Sequence, residues 1–167
     1  ELCEYFYNRY GYRLEDNLYK LYGDYDGECK KLRRDYSEAM MCMFEENFLQ
    51  PLRAWCDEHK LIMTGHFNGE EDPMSHAASG QNIYEQSKIM DIPGFDIITP
   101  NIGNLEHCAL VFGATMVSSA AEQSGSKTIF SECFALSPFN MGYHGLRKTA
   151  DWLFACGINW LVPHGFH

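Results

Sequence analysis

Two glutamates in this chain stand just past apolar runs of the β type. Glu70 follows Leu61-Ile62-Met63-Thr64-Gly65 and the short stretch His66-Phe67-Asn68-Gly69, and Glu132 directly follows Thr128-Ile129-Phe130-Ser131. In a parallel β/α architecture the carboxyl ends of the strands face the ligand. Two carboxyls held there from different strands can carry out glycoside hydrolysis. One protonates the leaving oxygen, and the other activates water or attacks the sugar. A lone strand-end glutamate is more often a solvated loop residue. It is the pair that points to catalysis.

Other polar residues recur at the same places. His66 and His164 each end a strand, where an imidazole can bond a sugar hydroxyl, tune a carboxyl, bind metal, or sit satisfied in a core. Asn68 and Asn101 are candidate ligand contacts, while Asn159, inside an apolar run, reads as structural. Trp160 and Phe166 could stack on a sugar face, although packing is the commoner use of such rings. Glu71 and Asp72 compete with Glu70 for the role of acid, and a neighbouring carboxylate would help raise the pKa of whichever group serves. The same residue types allow a second chemistry. His66, Glu70, His164 and His167 could hold a divalent metal that activates water, although His66-x-x-x-Glu70 is not the H-E-x-x-H pattern. A third reading is a non-catalytic carbohydrate-binding protein.

Elements that alternate in hydrophobic period must position these groups. Residues 1–22 read as helical with a break near Gly11. From Asp35 to His59 the residues Tyr36, Met40, Met43, Phe44, Asn47, Phe48, Leu52 and Trp55 recur at helical spacing, with Asp35 and Glu38 as a capping box and a kink at Pro51. Strands are expected at Leu61–Gly65, Phe95–Thr99, Thr128–Ser131 and Ile158–Val162. Between them come a loop through Asp72-Pro73 and Ser79-Gly80, a short helix within Asn82–Met90, a turn at Ile92-Pro93-Gly94, and helices over Asn104–Ser124 and Tyr143–Cys156. Apolar strands separated by helices predict an α/β fold with a parallel sheet buried on both faces. No strand is followed by G-x-G-x-x-G or a P-loop. Polar residues follow every strand instead, which suits part of a (β/α)8 TIM barrel fed by successive strand ends.

Composition narrows the partners. With 167 residues, 46% of them apolar, the chain suits a single domain. Its net charge of −10 argues against nucleic acid and anionic membranes, since little here would neutralise phosphates. The basic run Lys30-Lys31-Leu32-Arg33-Arg34 reads as a solvated turn before a helix. Seven cysteines without C-x-x-C spacing look like small buried hydrophobes, which favours a reducing, cytoplasmic setting over a periplasmic or secreted one. The chain starts without Met inside an aromatic segment and stops where a strand has just finished. We read it as a fragment of a larger catalytic barrel, with the remaining strands of its own longer chain as its closest partner.

Three stretches strengthen the glycosidase expectation. Gly65-His66-x-x-x-Glu70-Glu71, Ser119-Ala120-Ala121 leading through Gly125 to Ser131-Glu132-Cys133-Phe134, and Asp151-Trp152-x-Phe154-Ala155-x-Gly157-Ile158-Asn159 leading to His164 resemble segments of barrel-containing bacterial glycoside hydrolases related to the α-L-rhamnosidase group. The likeness runs from about Tyr36 onward. It departs at the first strand end, where Glu70 is matched by order along the chain. The resemblance implies an inverting glycosidase with Glu70 as general acid and Glu132 as base. His66, Asn68, Glu71, Asn101 and His164 would line a carbohydrate site. No cofactor is implied, and a bound divalent cation such as calcium stays open.

Overall fold

The computed structural model describes residues 1–23, 29–70, 72–79, 81–98, 102, 109–138 and 140–165. Its elements are α1 (Leu2–Tyr10), α2 (Tyr19–Tyr22), α3 (Cys29–Phe44), α4 (Gln50–Glu58), β1 (Thr64–Gly65), α5 (Pro73–Ala78), α6 (Ile83–Ser87), β2 (Ile92–Ile97), α7 (Ala109–Ser124), β3 (Phe130–Cys133), α8 (Gly142–Ala155) and β4 (Trp160–Pro163). The four strands form one parallel sheet in the order β1-β2-β3-β4. The expected alternation of parallel strands and helices is therefore what the chain adopts.

Side chains pointing to one face of this sheet build the main core. Phe95 and Ile97 of β2 and Cys133 of β3 pack with Ala114, Val117 and Ala121 of α7, Leu153 of α8 and Ile158. Phe95 and Cys133 are wholly buried, and each large apolar side chain so placed contributes about 1.5–3 kcal/mol. The small residues of α7 let the helix lie close to the sheet. At Gly113 the approach is closest: a Cβ there would fall 2.4 Å from the Glu70 carbonyl oxygen and 2.5 Å from the Phe95 ring. Alternation along the strands turns Asp96, Glu132, Trp160 and Val162 to the other face. Trp160 is 51% exposed, so the packing expected of it is not found among the described residues.

A second, smaller core gathers the aromatic N-terminal segment. Phe6, Leu14, Leu32 and Ala39 are buried there, with Tyr5, Tyr10, Tyr12 and Tyr36 around them. Helix α1 ends at Gly11 with φ 75°, the left-handed turn that glycine tolerates best.

Several boundaries differ from expectation for identifiable reasons. Helix α3 begins at Cys29, so the basic run lies inside it and Asp35 is a mid-helix residue, not a cap. Asp35 is 1% exposed and gathers Lys31, Arg34 and Tyr12 onto its carboxylate; the need to neutralise that buried charge explains the cations. The irregularity attributed to Pro51 occupies the turn before it. Residues Glu45–Leu49 form a wider, π-type turn, which accommodates a ring that would crowd the Asn47 carbonyl. Ile92-Pro93-Gly94 is not a turn but the start of β2. The expected loop after Asp72 contains α5, whose first N–H groups, from Met74 and Ser75, are capped by the Asp72 carboxylate. Strand β4 starts after Asn159, whose amide bonds Ile129 N–H and the Lys127 carbonyl, a structural use as anticipated. None of the described helices is long and apolar enough to cross a membrane.

Candidate functional site

Polar groups from the ends of all four strands meet at one rim of the sheet. Residues 66–70 follow β1, Asp96 lies near the end of β2, Glu132 within β3, and His164 directly after β4. Parallel register makes this possible, since Asp96 stands opposite Glu132, and Glu132 opposite Val162.

Glu132 is held from both sides by histidine. His66 Nε2 donates to Oε2 at 3.2 Å, and His164 Nδ1 donates to Oε1. The bond from His164, then the charge and bond of His66, hold the carboxyl below its ordinary pKa in spite of some burial. Each carboxylate oxygen keeps a further lone pair for a proton donor.

His66 also lies 3.1 Å from the Phe67 carbonyl through Nδ1. A carbonyl and a carboxylate are both acceptors, an arrangement that favours the doubly protonated ring. Burial opposes that charge, but the carboxyls of Glu70, Asp96 and Glu132 and the Phe67 carbonyl outweigh it, and the His66 pKa is raised.

Glu70 lives differently. It is 2% exposed, with Asp96 N–H donating to Oε2 at 2.8 Å and Phe67 N–H donating to Oε1. Burial pushes its pKa up to about 8, although the two N–H bonds and His66 pull the other way. The His66 ring spans the two glutamates, with Nδ1 3.9 Å from Glu70 Oε1 and Nε2 3.2 Å from Glu132 Oε2.

A cavity of about 220 Å³ opens at this rim, lined by His66, Phe67, Asn68, Gly69, Glu70, Asp96 and Ile98. Of the residues anticipated from sequence, Glu70, Glu132, His66, Asn68 and His164 are brought together. Glu71, Asn101, Phe166 and His167 lie outside the described residues. Asp96 was missed. The signal was present, since an acid inside the apolar run Phe95-Asp96-Ile97 is costly unless used, but placing the strand end at Thr99 drew attention to Asn101. The alternative metal quartet named from sequence includes His167, which lies outside the described residues. Among the described residues, ligand atoms of His66, Asp96 and Glu132 lie within 4.8 Å of one another.

Comparison of the chain with protein-family models, with curated proteins and with solved structures finds no match.

Proposed function

We propose that the chain carries the catalytic centre of a glycoside hydrolase. The observation that carries this reading is the arrangement of Glu70 and Glu132 on either side of the His66 ring, at the carboxyl end of a parallel sheet. Their opposite surroundings support it, because acid and base must differ in protonation at one pH. Glu70 gives its proton to the glycosidic oxygen as the bond to the anomeric carbon breaks. Water attacks that carbon from the opposite face and loses a proton to Glu132. The product has inverted configuration, in keeping with the resemblance to the α-L-rhamnosidase group. His164 and His66 hold the base, and Asn68 at the cavity mouth meets sugar hydroxyls.

The same proposal extends to architecture. A doubly wound sheet reverses its strand order at a switch point. The order β1-β2-β3-β4 has no reversal, and right-handed crossovers then place the helices on one face. Such a sheet closes into a (β/α)8 barrel when further parallel strands, from a longer chain, pair with its edges. The half-exposed Trp160 and Val162 would then face the barrel interior. Residues 1–167 alone should associate or aggregate through those edges, and a soluble monomer that melts cooperatively would count against the barrel.

The test of function is turnover of aryl glycosides by the full-length enzyme, followed by NMR of the first-formed anomer. Absence of turnover across neutral sugar classes, with an intact fold, would remove the reading. A second reading, hydrolysis at a divalent cation, draws on the proximity of His66, Asp96 and Glu132. Chelation separates the two: activity of a glycosidase that needs no metal survives it.

A further inference from the structure

Asp96 takes no part in the acid–base pair, yet it stands between its members. It is the register partner of Glu132 on the neighbouring strand, and alternation sends both side chains to the face away from α7. One of its carboxylate oxygens lies within 4.8 Å of a His66 ring nitrogen and of a Glu132 oxygen. It lines the cavity together with His66 and Glu70. Its own N–H holds Glu70 Oε2 at 2.8 Å, so the backbone that aims Asp96 also places the acid. Asp35, a structural carboxylate of α3, is covered by its partners, whereas Asp96 is only partly buried as a residue and lines the cavity.

We propose that Asp96 touches the sugar, with its carboxylate facing the positive charge that develops on the anomeric carbon and ring oxygen as the glycosidic bond lengthens. This rests on the glycosidase reading. Asp96 forms and breaks no bond; it stabilises charge from a fixed position, as pre-aimed groups do in active sites. A ligand that already carries a positive charge in the ring should therefore bind better than a neutral ligand of the same shape.

The probes are 1-deoxy imino sugars of several hydroxyl configurations, protonated at neutral pH, each compared with the neutral 1,5-anhydro alditol of the same configuration. Dissociation constants are measured by calorimetry on the full-length protein in chelator, and the tightest pair is carried forward. Wild type should prefer the charged member by about tenfold, the scale of one nearby charge. Asp96→Asn should cut that preference severalfold, the ionised Glu132 supplying what remains, and should weaken the charged member much more than the neutral one. A structural lesion would weaken both members alike, and that outcome overturns the proposal. So does a wild type without preference, or without binding to any pair, a result that stands even if Asp96→Asn fails to fold. If the preference and its reduction are seen without turnover of any aryl glycoside, the hydrolase reading falls and the Asp96 contact stands. Turnover without the preference does the reverse.

Discussion

Glu70 and Glu132 reach the same imidazole from opposite sides and out of unlike surroundings. Glu132 rides on the regular strand β3, partly open to solvent, and its two oxygens meet histidine nitrogens from the ends of β1 and β4. Glu70 sits on an irregular loop pressed between β2 and α7, and its two oxygens meet backbone N–H groups. Two histidine partners, His164 first, hold the pKa of the first carboxyl low. Exclusion of water pushes the pKa of the second up to about 8, because two N–H donors and His66 do not offset the cost of burying a charge. One residue type thus acquires opposite pKa shifts from two ways of being held.

The comparison breaks most visibly at the base. Glu132→Gln should lower turnover of aryl glycosides by about 10²–10⁴-fold, the usual worth of a positioned base, while sugar binding measured by calorimetry stays near wild type. Near-normal turnover in that variant would end the assignment.

Glu70→Gln should act selectively. Substrates with poor leaving groups lose about 10²-fold or more, and activated aryl glycosides far less, since they need little protonation. The wild-type rate should fall as pH rises through about 8, where Glu70 loses its proton, and the variant should lack that limb. Stability carries the same sign. A carboxyl whose pKa is raised on folding binds more protons folded than unfolded, so it stabilises at low pH and that contribution is lost as pH climbs from the ordinary carboxylate value through about 8. Melting curves of Glu70→Gln across this window should be flatter than those of wild type. A parallel pH dependence in the two proteins would show that Glu70 is not the group that titrates.

Gly113→Ala sharpens the comparison from the back. Its new methyl would strike the Glu70 carbonyl oxygen and the Phe95 ring, at a cost of about 1–3 kcal/mol. Urea unfolding should show the loss, and the alkaline limb should move toward lower pH as water gains access to Glu70. The acid limb set by Glu132, two strands away, should hold its place.

The smallest effect belongs to His164→Ala. Removing the largest cause of the lowered Glu132 pKa should move the acid limb of the rate profile to higher pH, with His66 still in place. An unmoved limb would mean that His164 does not tune the base, a role then left to His66.

Much of this was legible in the residues themselves. The apolar runs and helical periods placed four strands and the long helices between them, because burial of one face imposes its period on the sequence. Glu70, Glu132, His66 and His164 were visible because polar residues at the ends of apolar strands stand out. What a linear pattern could not carry was distance across strands. The placement of Asp96 beside Glu132 depends on strand register, which hydrogen bonding between strands sets and no local spacing reveals. The same holds for Asp35, which looks like a helix cap until Tyr12, Lys31 and Arg34 are seen around it, and for Ile92-Pro93-Gly94, whose turn-forming residues are overridden by pairing with β1 and β3. Sequence alone determined which residues could do chemistry, since residue type and periodicity are local properties. The opposite pKa shifts that divide Glu70 from Glu132 were decided by tertiary structure, because desolvation and charge pairing depend on everything the fold packs around a carboxyl.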